Sequence, residues 1–390
     1  MTRPDTLVVL VIDALGAELA ETSGFLAARL PHRQRLRTIL GYSSAAIPSL
    51  LTGNTPKEHG HWFLYLRAGV GRPSPFRGAS FLSKMPARLA NRWSVRRRLA
   101  SWWRRRADIR GYFGLYEVPY RELADMDYVE REDGWGPGTF PHGSFIDDVT
   151  SSGLASFVSD WRATDDAKLE AALAREHSAP ADVYLMYLTE IDARQHAHGS
   201  RGRPVFERLE SYRAPLDQLL DSAARRGTTR LVVVSDHGMT DVTTLLDPEP
   251  ALKATGLHDG RDYRIFIDST FLRFWCDRPA VADRLVEVLG TTRGLRHVTP
   301  EELAREGVDF DDDRYGALHF LADPGVLICP SYMGRTPLMG MHGYTPDDAA
   351  SDAMLLDETA PGAPLASILN LRDHFRSLLP AGQGRAEPGA

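Results

Sequence analysis

This chain predicts an α/β fold with a mostly parallel central sheet, on two observations. Residues 6–12 (TLVVLVI), 182–188 (DVYLMYL) and 230–234 (RLVVV) are apolar runs that read as strands buried on both faces. Helical sequence follows each, and strand–helix alternation places helices on both sides of a parallel sheet.

The elements follow in order. The first strand ends at Asp13, and a helix fits residues 16–30. Residues 37–40 (RTIL) predict a short strand. The segment GYSSAAIPSLLTG then opens an apolar helix running to Leu51, with Ser43 at its N-cap. The second strand leads to Asp192. Phe206, Leu209, Tyr212, Leu216 and Leu219 recur at helical spacing and predict one amphipathic helix over 205–225. The third strand delivers Asp236 and His237. Two stretches break the alternation. Residues 66–180, rich in Arg, Trp, Gly and Pro, are expected to form an inserted cap. Residues 255–335 mix strand-like (YRIFI, TFLRFW) and helical (AVADRLVEVLG) pieces and are expected to form a small α+β subdomain. This leaves 1–65, 181–254 and 336–380 for the core, and the Gly/Pro-rich residues 381–390 for a disordered tail.

A chain of 390 residues is long enough for one large core with an inserted lobe. Its net charge of -6 gives the whole molecule no reason to seek nucleic acid. Cys276 and Cys329 lie in apolar sequence (FLRFWCD, GVLICP) and read as two buried thiols of a reducing compartment. The N-terminal apolar run ends in an acid and lacks the features of a signal peptide. No apolar stretch approaches the roughly 20 residues of a membrane span. A cytoplasmic protein is expected.

Seven residues carry the chemistry: Asp13, Ser43, Asp192, His196, Asp236, His237 and His342. Asp192 and His196 are four apart in TEIDARQHAHG; on a helix they share a face and can grip one ion. Asp236 and His237 leave a strand together in VVVSDHGM, and Gly238 frees the backbone to turn them toward a pocket. His342 sits between glycines in MGMHGYTP. Taken singly, each has a plain structural role, as a cap, a turn residue or an N-cap. Taken together, imidazoles and carboxylates without a thiolate suit zinc first, with manganese and iron as alternatives. Ser43 is the candidate nucleophile. A helix start offers free N–H groups and a positive dipole end to a phosphoryl group, and a metal beside the hydroxyl would lower its pKa. Ser44 is the rival. Ala45 stands where the G-x-S-x-G elbow needs its second glycine, so that elbow is absent.

The ordered set resembles the alkaline phosphatase superfamily, and within it the nucleotide pyrophosphatase/phosphodiesterase branch. The resemblance covers roughly residues 5–65, 182–240 and 338–356. Ser43, Thr52-Gly53 and Pro56-Lys57-Glu58-His59-Gly60 keep the branch's spacing without a gap, a register that favours Ser43 over Ser44. The D-x-x-x-H at Asp192/His196, the DHGM at 236–239 and the HGY at 342–344 follow in the family's order. The resemblance implies a three-layer α/β/α sandwich and two divalent metal ions. One ion would be held by Asp192, His196 and His342, the other by Asp13, Asp236 and His237 with Ser43 beside it. It implies hydrolysis of a phosphodiester or pyrophosphate through a phosphoseryl intermediate, with a small phosphoester substrate as partner. The branch usually has an asparagine that helps hold a phosphate oxygen; Leu64 stands at that position. Either His61, Tyr65 or a cap residue is expected to substitute, or the substrate sits differently; Tyr344 is a further candidate for substrate contact. A phosphomonoesterase on the same scaffold is the alternative, followed by a phosphonate or sulfate ester hydrolase. A metal-independent serine hydrolase and a non-catalytic membrane-docking protein are the competing classes.

Between residues 84 and 110 lie Lys84, Arg88, Arg92, Arg96, Arg97, Arg98, Arg104, Arg105, Arg106 and Arg110 against the single acid Asp108. Trp93, Trp102 and Trp103 are interleaved. Three readings fit: a solvated helix closing over the core, a contact with an anionic membrane surface, or a contact with a phosphate-bearing substrate. No nucleic-acid fold accompanies the run, so no specific nucleic acid is expected.

Overall fold

In the computed structural model, which describes residues 3–69, 73–84 and 92–381, six strands form the central sheet. Their order is His32–Leu36, Ala353–Asp357, Thr229–Val234, Thr6–Ile12, Val183–Leu188, Ser156–Val158. The last four are parallel to one another. Ala353–Asp357 runs antiparallel to both its neighbours, so the sheet is mixed. Side chains alternate across Thr6–Ile12. Leu7, Val9 and Val11 enter one apolar cluster, with residues of the helices Ser43–Thr52 and Leu371–Leu378. Val8, Leu10 and Ile12 enter the other, with the helices Ala17–Ser23, Arg203–Ser211 and Arg213–Ala224. Both faces are covered, which gives three layers and explains the unbroken apolar run of that strand. Ile12 stands level with Leu188, and Val11 with Val234. The chain therefore leaves the three central strands at one edge, where α/β sheets place their ligands.

Several expected boundaries move. The first helix is Ala17–Ser23, stopped by Gly24 in the left-handed conformation (φ 60°). The strand expected at 37–40 lies at His32–Leu36; it is polar and half-exposed at the sheet's edge, where apolar content gives no signal. The helix expected over 205–225 is two, Arg203–Ser211 and Arg213–Ala224. Pro215 has no N–H to carry the first ladder onward. The core also reaches further into 66–180 than expected. The helix Phe145–Ser151, the edge strand Ser156–Val158 and the helix Asp165–Ser178 all belong to the sandwich. Cys276 and Cys329 are free and half-buried rather than buried. Of the expected tail only Ala381 is among the described residues, and Arg88 lies outside them.

What remains of the insertion is a lobe. The strand Tyr65–Arg67 pairs antiparallel with Met126–Tyr128, and the helix Trp93–Arg106 packs beside them. Phe76, Trp103, Val118 and Tyr128 form its core together with Phe266 and Trp275. These two come from a four-stranded antiparallel sheet within 255–335, ordered Arg264–Ile267, Phe271–Trp275, Leu318–Ala322, Leu295–Val298. Fully buried Arg273 joins the parts. Its guanidinium lies 4.1 Å from the Phe63 ring centre and 4.6 Å from that of Phe266, and its Nε is 2.7 Å from Asp268 Oδ2.

Candidate metal centre

Three carboxylates and three imidazoles meet at the C-terminal edge of the parallel strands. Asp13 directly follows Thr6–Ile12, and Asp236 and His237 follow Thr229–Val234; all three are buried. The helix Glu190–His198 begins just after Val183–Leu188 and carries Asp192 in its first turn. His196 lies one turn on, and its Nε2 is 3.3 Å from Asp192 Oδ1. His342, which follows the short strand Gly340–Met341, brings its Nε2 to 3.5 Å from the same oxygen. Its ring stacks on His237 with centroids 3.9 Å apart. Gly238 permits this gathering: a Cβ there would lie 2.1 Å from the Ala350 carbonyl oxygen.

Backbone carbonyls fix two of the imidazoles. His196 Nδ1 is 2.8 Å from the Gly340 oxygen, and His237 Nδ1 is 2.9 Å from the Gly238 oxygen. Each Nδ1 carries the proton, so each Nε2 lone pair faces the centre, the usual arrangement of a metal-binding histidine. Ser43 is the first residue of its helix, and Tyr42 is the N-cap, one residue from the expectation. The Ser43 hydroxyl is therefore not spent on capping; its Oγ lies 2.9 Å from His237 Nε2. Ser44 is occupied, donating to the Trp62 carbonyl at 3.0 Å.

The residues fit a divalent cation. Asp13 Oδ1, Asp192 Oδ1, Asp236 Oδ2 and His342 Nδ1 are buried without a hydrogen-bond partner. Desolvated, unpaired carboxylate oxygens are costly, and buried charges are paired or bound to metal. Burial, then the charges of Asp236 and Asp192, push the Asp13 carboxyl well above the usual range. Burial likewise raises Asp236. Burial and the neighbouring His237 hold the His342 imidazole well below its ordinary value. Crowded acids beside imidazoles are a donor set whose proton balance a cation inverts. Ligand atoms of Asp192, His196 and His342 lie within 4.8 Å of one another, and so do those of Asp13, Asp192 and His237. The second group holds Asp192 where Asp236 was expected; Asp236 Oδ2 lies 3.2 Å from His237 Nε2. Sharing Asp192 makes the two groups neighbours.

Residues 7–345 match the family model for type I phosphodiesterase / nucleotide pyrophosphatase. The chain belongs to that family. It is thus a hydrolase of a metal-dependent family within the alkaline phosphatase superfamily. No sequence among the curated proteins matches it. Solved structures agree on the fold. Murine ectonucleotide pyrophosphatase/phosphodiesterase 5 superposes with a TM-score of 0.65 at 14% identity, covering 96% of this chain and 95% of that one. The human protein gives 0.66 at 13%, covering 96% and 94%. An inactive murine variant in complex with AMP gives 0.64 at 15%, covering 96% and 95%.

In this family member the centre opens into a cavity of about 1150 Å³. Asp13, Ser43, Asp192, His196 and His342 line it, with Tyr112 and Trp135 of the insertion and Asp268 and Cys329 of the 255–335 region. His61 lines it; its Nδ1 has no partner, and burial pushes its pKa down to about 4, so the ring is neutral at pH 7. Two expected substrate contacts lie elsewhere. Tyr65 is buried in the lobe core and donates to the Gly114 carbonyl at 2.8 Å. Tyr344 is buried in the 255–335 core and donates to the Val326 carbonyl at 3.1 Å. Adjacency to a motif does not set the direction of a side chain.

Two supports escaped the sequence reading. Tyr187 donates its hydroxyl to Asp13 Oδ2, and Trp135 stacks on its ring at 4.7 Å. Behind the Asp192 helix, Asp165 and Lys168 form a fully buried ion pair at 3.0 Å. Asp165 also accepts from the Thr189 and Glu190 amides at 3.0 and 2.9 Å. It thereby caps the start of the Glu190–His198 helix, which its own N-cap residue Thr189 does not do with its side chain.

Proposed function

We infer that this chain hydrolyses phosphodiester or pyrophosphate bonds with Ser43 as nucleophile, assisted by two divalent cations, zinc first. One observation carries the reading: three orphaned carboxylate oxygens and three imidazoles surround a serine hydroxyl that is free of any capping duty. Asp192, His196 and His342 would hold one cation, and Asp13, Asp236 and His237 the other, with Asp192 near enough to serve both. Bound there, the cations supply Lewis acidity to the phosphoryl oxygens and lower the pKa of an attacking hydroxyl or water.

The chain's own residues supply the rest. Ser43 Oγ forms a bond to phosphorus as the bond to the leaving oxygen breaks, and its proton leaves with the departing alcohol or phosphate. Water then splits the phosphoseryl ester and restores the Ser43 hydroxyl. The Ala45 and Ala46 amides bond back to the Tyr42 carbonyl, which leaves the Ser43 and Ser44 amides at the helix start to favour incoming negative charge. Neutral His61, rather than Leu64, offers the cavity wall a polar contact with a substrate oxygen. The cavity has space for substituents on both sides of a phosphodiester, which supports a diesterase over a monoesterase.

The test compares bis-(p-nitrophenyl) phosphate with p-nitrophenyl phosphate, each with zinc or manganese. Diester turnover is expected to exceed monoester turnover and to vanish in EDTA and in Ser43→Ala. Monoester preference would replace the diesterase reading with a phosphatase. Activity that survives full metal removal would end it.

A further inference from the structure

The helix Trp93–Arg106 divides its side chains between two faces. Arg96 and Trp103 are buried, and Leu99 and Ala100 are half-buried beside them. Ser94, Arg97, Arg98, Ser101, Trp102, Arg105 and Arg106 are exposed, at the spacing of three and four that marks a single helical face. The inner arginine serves the fold. Arg96 donates to the carbonyls of Tyr116, Val118 and Leu115 at 2.7, 2.9 and 3.2 Å. Three of the outer ones are left to solvent. Among the described residues, Arg98, Arg105 and Arg106 form no ion pair, and the nearby acid Asp108 is taken by Arg110 at 2.9 Å. Trp102 sits among them, 47% exposed, with the Arg106 guanidinium 5.7 Å from its ring centre.

We propose that this face docks the protein on an anionic phospholipid surface. The charge complements such a surface and opposes the molecule's overall sign, since the whole chain carries -6. Basic residues near an anionic bilayer each add attraction, and an exposed tryptophan among them settles at the headgroup level. Among the described side chains of this helix Trp102 is the one exposed ring, and one ring offers no track on which successive bases could stack, which disfavours single-stranded nucleic acid as the occupant. The same helix also borders the cavity through Arg97 and Ala100. Docking therefore brings the cavity to the lipid, and the substrate is a phosphoester carried in that surface. This last step rests on the hydrolase reading above; the docking itself does not.

The test sediments the full chain with vesicles of phosphatidylcholine, alone or with about 30% phosphatidylglycerol. Binding is expected to the anionic vesicles only, and to fall steeply between about 0.1 and 0.5 M salt as the attraction is screened. Each arginine contributes about fivefold, so the combined Arg98→Glu, Arg105→Glu and Arg106→Glu variant should lose at least about 100-fold in partitioning. Trp102→Ala should lose severalfold at every salt concentration. Thermal unfolding and turnover of a soluble ester should stay unchanged in both, whereas turnover of a vesicle-borne phosphodiester falls. Wild-type chain that ignores the anionic vesicles, or that binds neutral ones equally, overturns the proposal. So does undiminished binding by the triple variant, or capture of single-stranded DNA without vesicle binding. Ser43→Ala is carried through the vesicle arm: if it sediments while the wild type turns over no ester, docking stands and the hydrolase reading falls.

Discussion

Asp165→Asn removes one charge and almost no volume, yet four donors converge on that carboxylate. Oδ1 accepts from Lys168 Nζ and the Thr189 amide, and Oδ2 from the Glu190 amide and the Tyr212 hydroxyl. An asparagine keeps one acceptor oxygen and turns an NH2 toward the other pair. The tyrosine can reverse its hydroxyl, but a backbone amide cannot reverse. One buried N–H is left unpaired, at a cost of about 1–3 kcal/mol. The Lys168 ammonium, with no exposed side-chain surface, also loses its counter-charge. Breaking a buried pair from one side costs about 3–5 kcal/mol. The two terms overlap, and a total near 4 kcal/mol is expected, a large share of the roughly 5–15 kcal/mol that holds a domain. The loss falls at the start of the helix bearing Asp192 and His196, so zinc affinity should drop about 10–100-fold, as when a supporting partner of a metal ligand is removed. Urea unfolding followed by circular dichroism reads the first effect, and competition with a zinc-binding dye reads the second. Adding Lys168→Met to the variant should restore part of the stability by removing the stranded charge. A stability loss under about 1 kcal/mol with unchanged zinc affinity would show that the pair supports nothing.

Three further outcomes follow from named contacts. Ser44→Ala should keep most of the ester turnover and lose about 1 kcal/mol of stability, because its hydroxyl only ties the helix to Trp62; loss of turnover as complete as in Ser43→Ala would reassign the nucleophile. Tyr187→Phe should keep the stacking with Trp135 but weaken zinc binding about tenfold through a less firmly held Asp13; calorimetric zinc titration decides. His319 is buried with both ring nitrogens unpartnered, and burial followed by the nearby Arg273 pushes its pKa down to about 3. Its folded pKa is depressed, so the native state keeps it neutral while an unfolded chain protonates near pH 6.5; its stabilising contribution is whole above that pH and lost as pH falls toward 3. His319→Leu should therefore lose about 2 kcal/mol less stability than the wild type between pH 6.5 and 5, and parallel losses in urea titrations at the two pH values would contradict a neutral imidazole.

What could be read from the sequence, and what could not, follows from locality. The buried strands announced themselves as apolar runs, and Asp13, Asp192, Asp236 and His237 were visible because each lies within a few residues of a strand end. The His32–Leu36 strand was missed because an edge position asks for no apolar face. Ser156–Val158 is three half-buried residues, too short for a period to show. Asp165 and Lys168 sit in TDDAKLE, which reads as a solvated helix start; only the third dimension brings the Thr189 turn down on them. Tyr187 was hidden inside DVYLMYL, where its hydroxyl gave no sign of reaching Asp13.

The strand Ala353–Asp357 lies between His32–Leu36 and the rest of the sheet and, among the described residues, is the only strand that pairs with His32–Leu36. On the ribosome, a segment made among the first forty residues must wait for one made more than three hundred residues later before its backbone is satisfied. His342 is also synthesised in that final stretch. A nascent chain cut short before it therefore holds neither a finished sheet nor the full set of candidate ligands, and prematurely terminated products are expected to be inert rather than half-active.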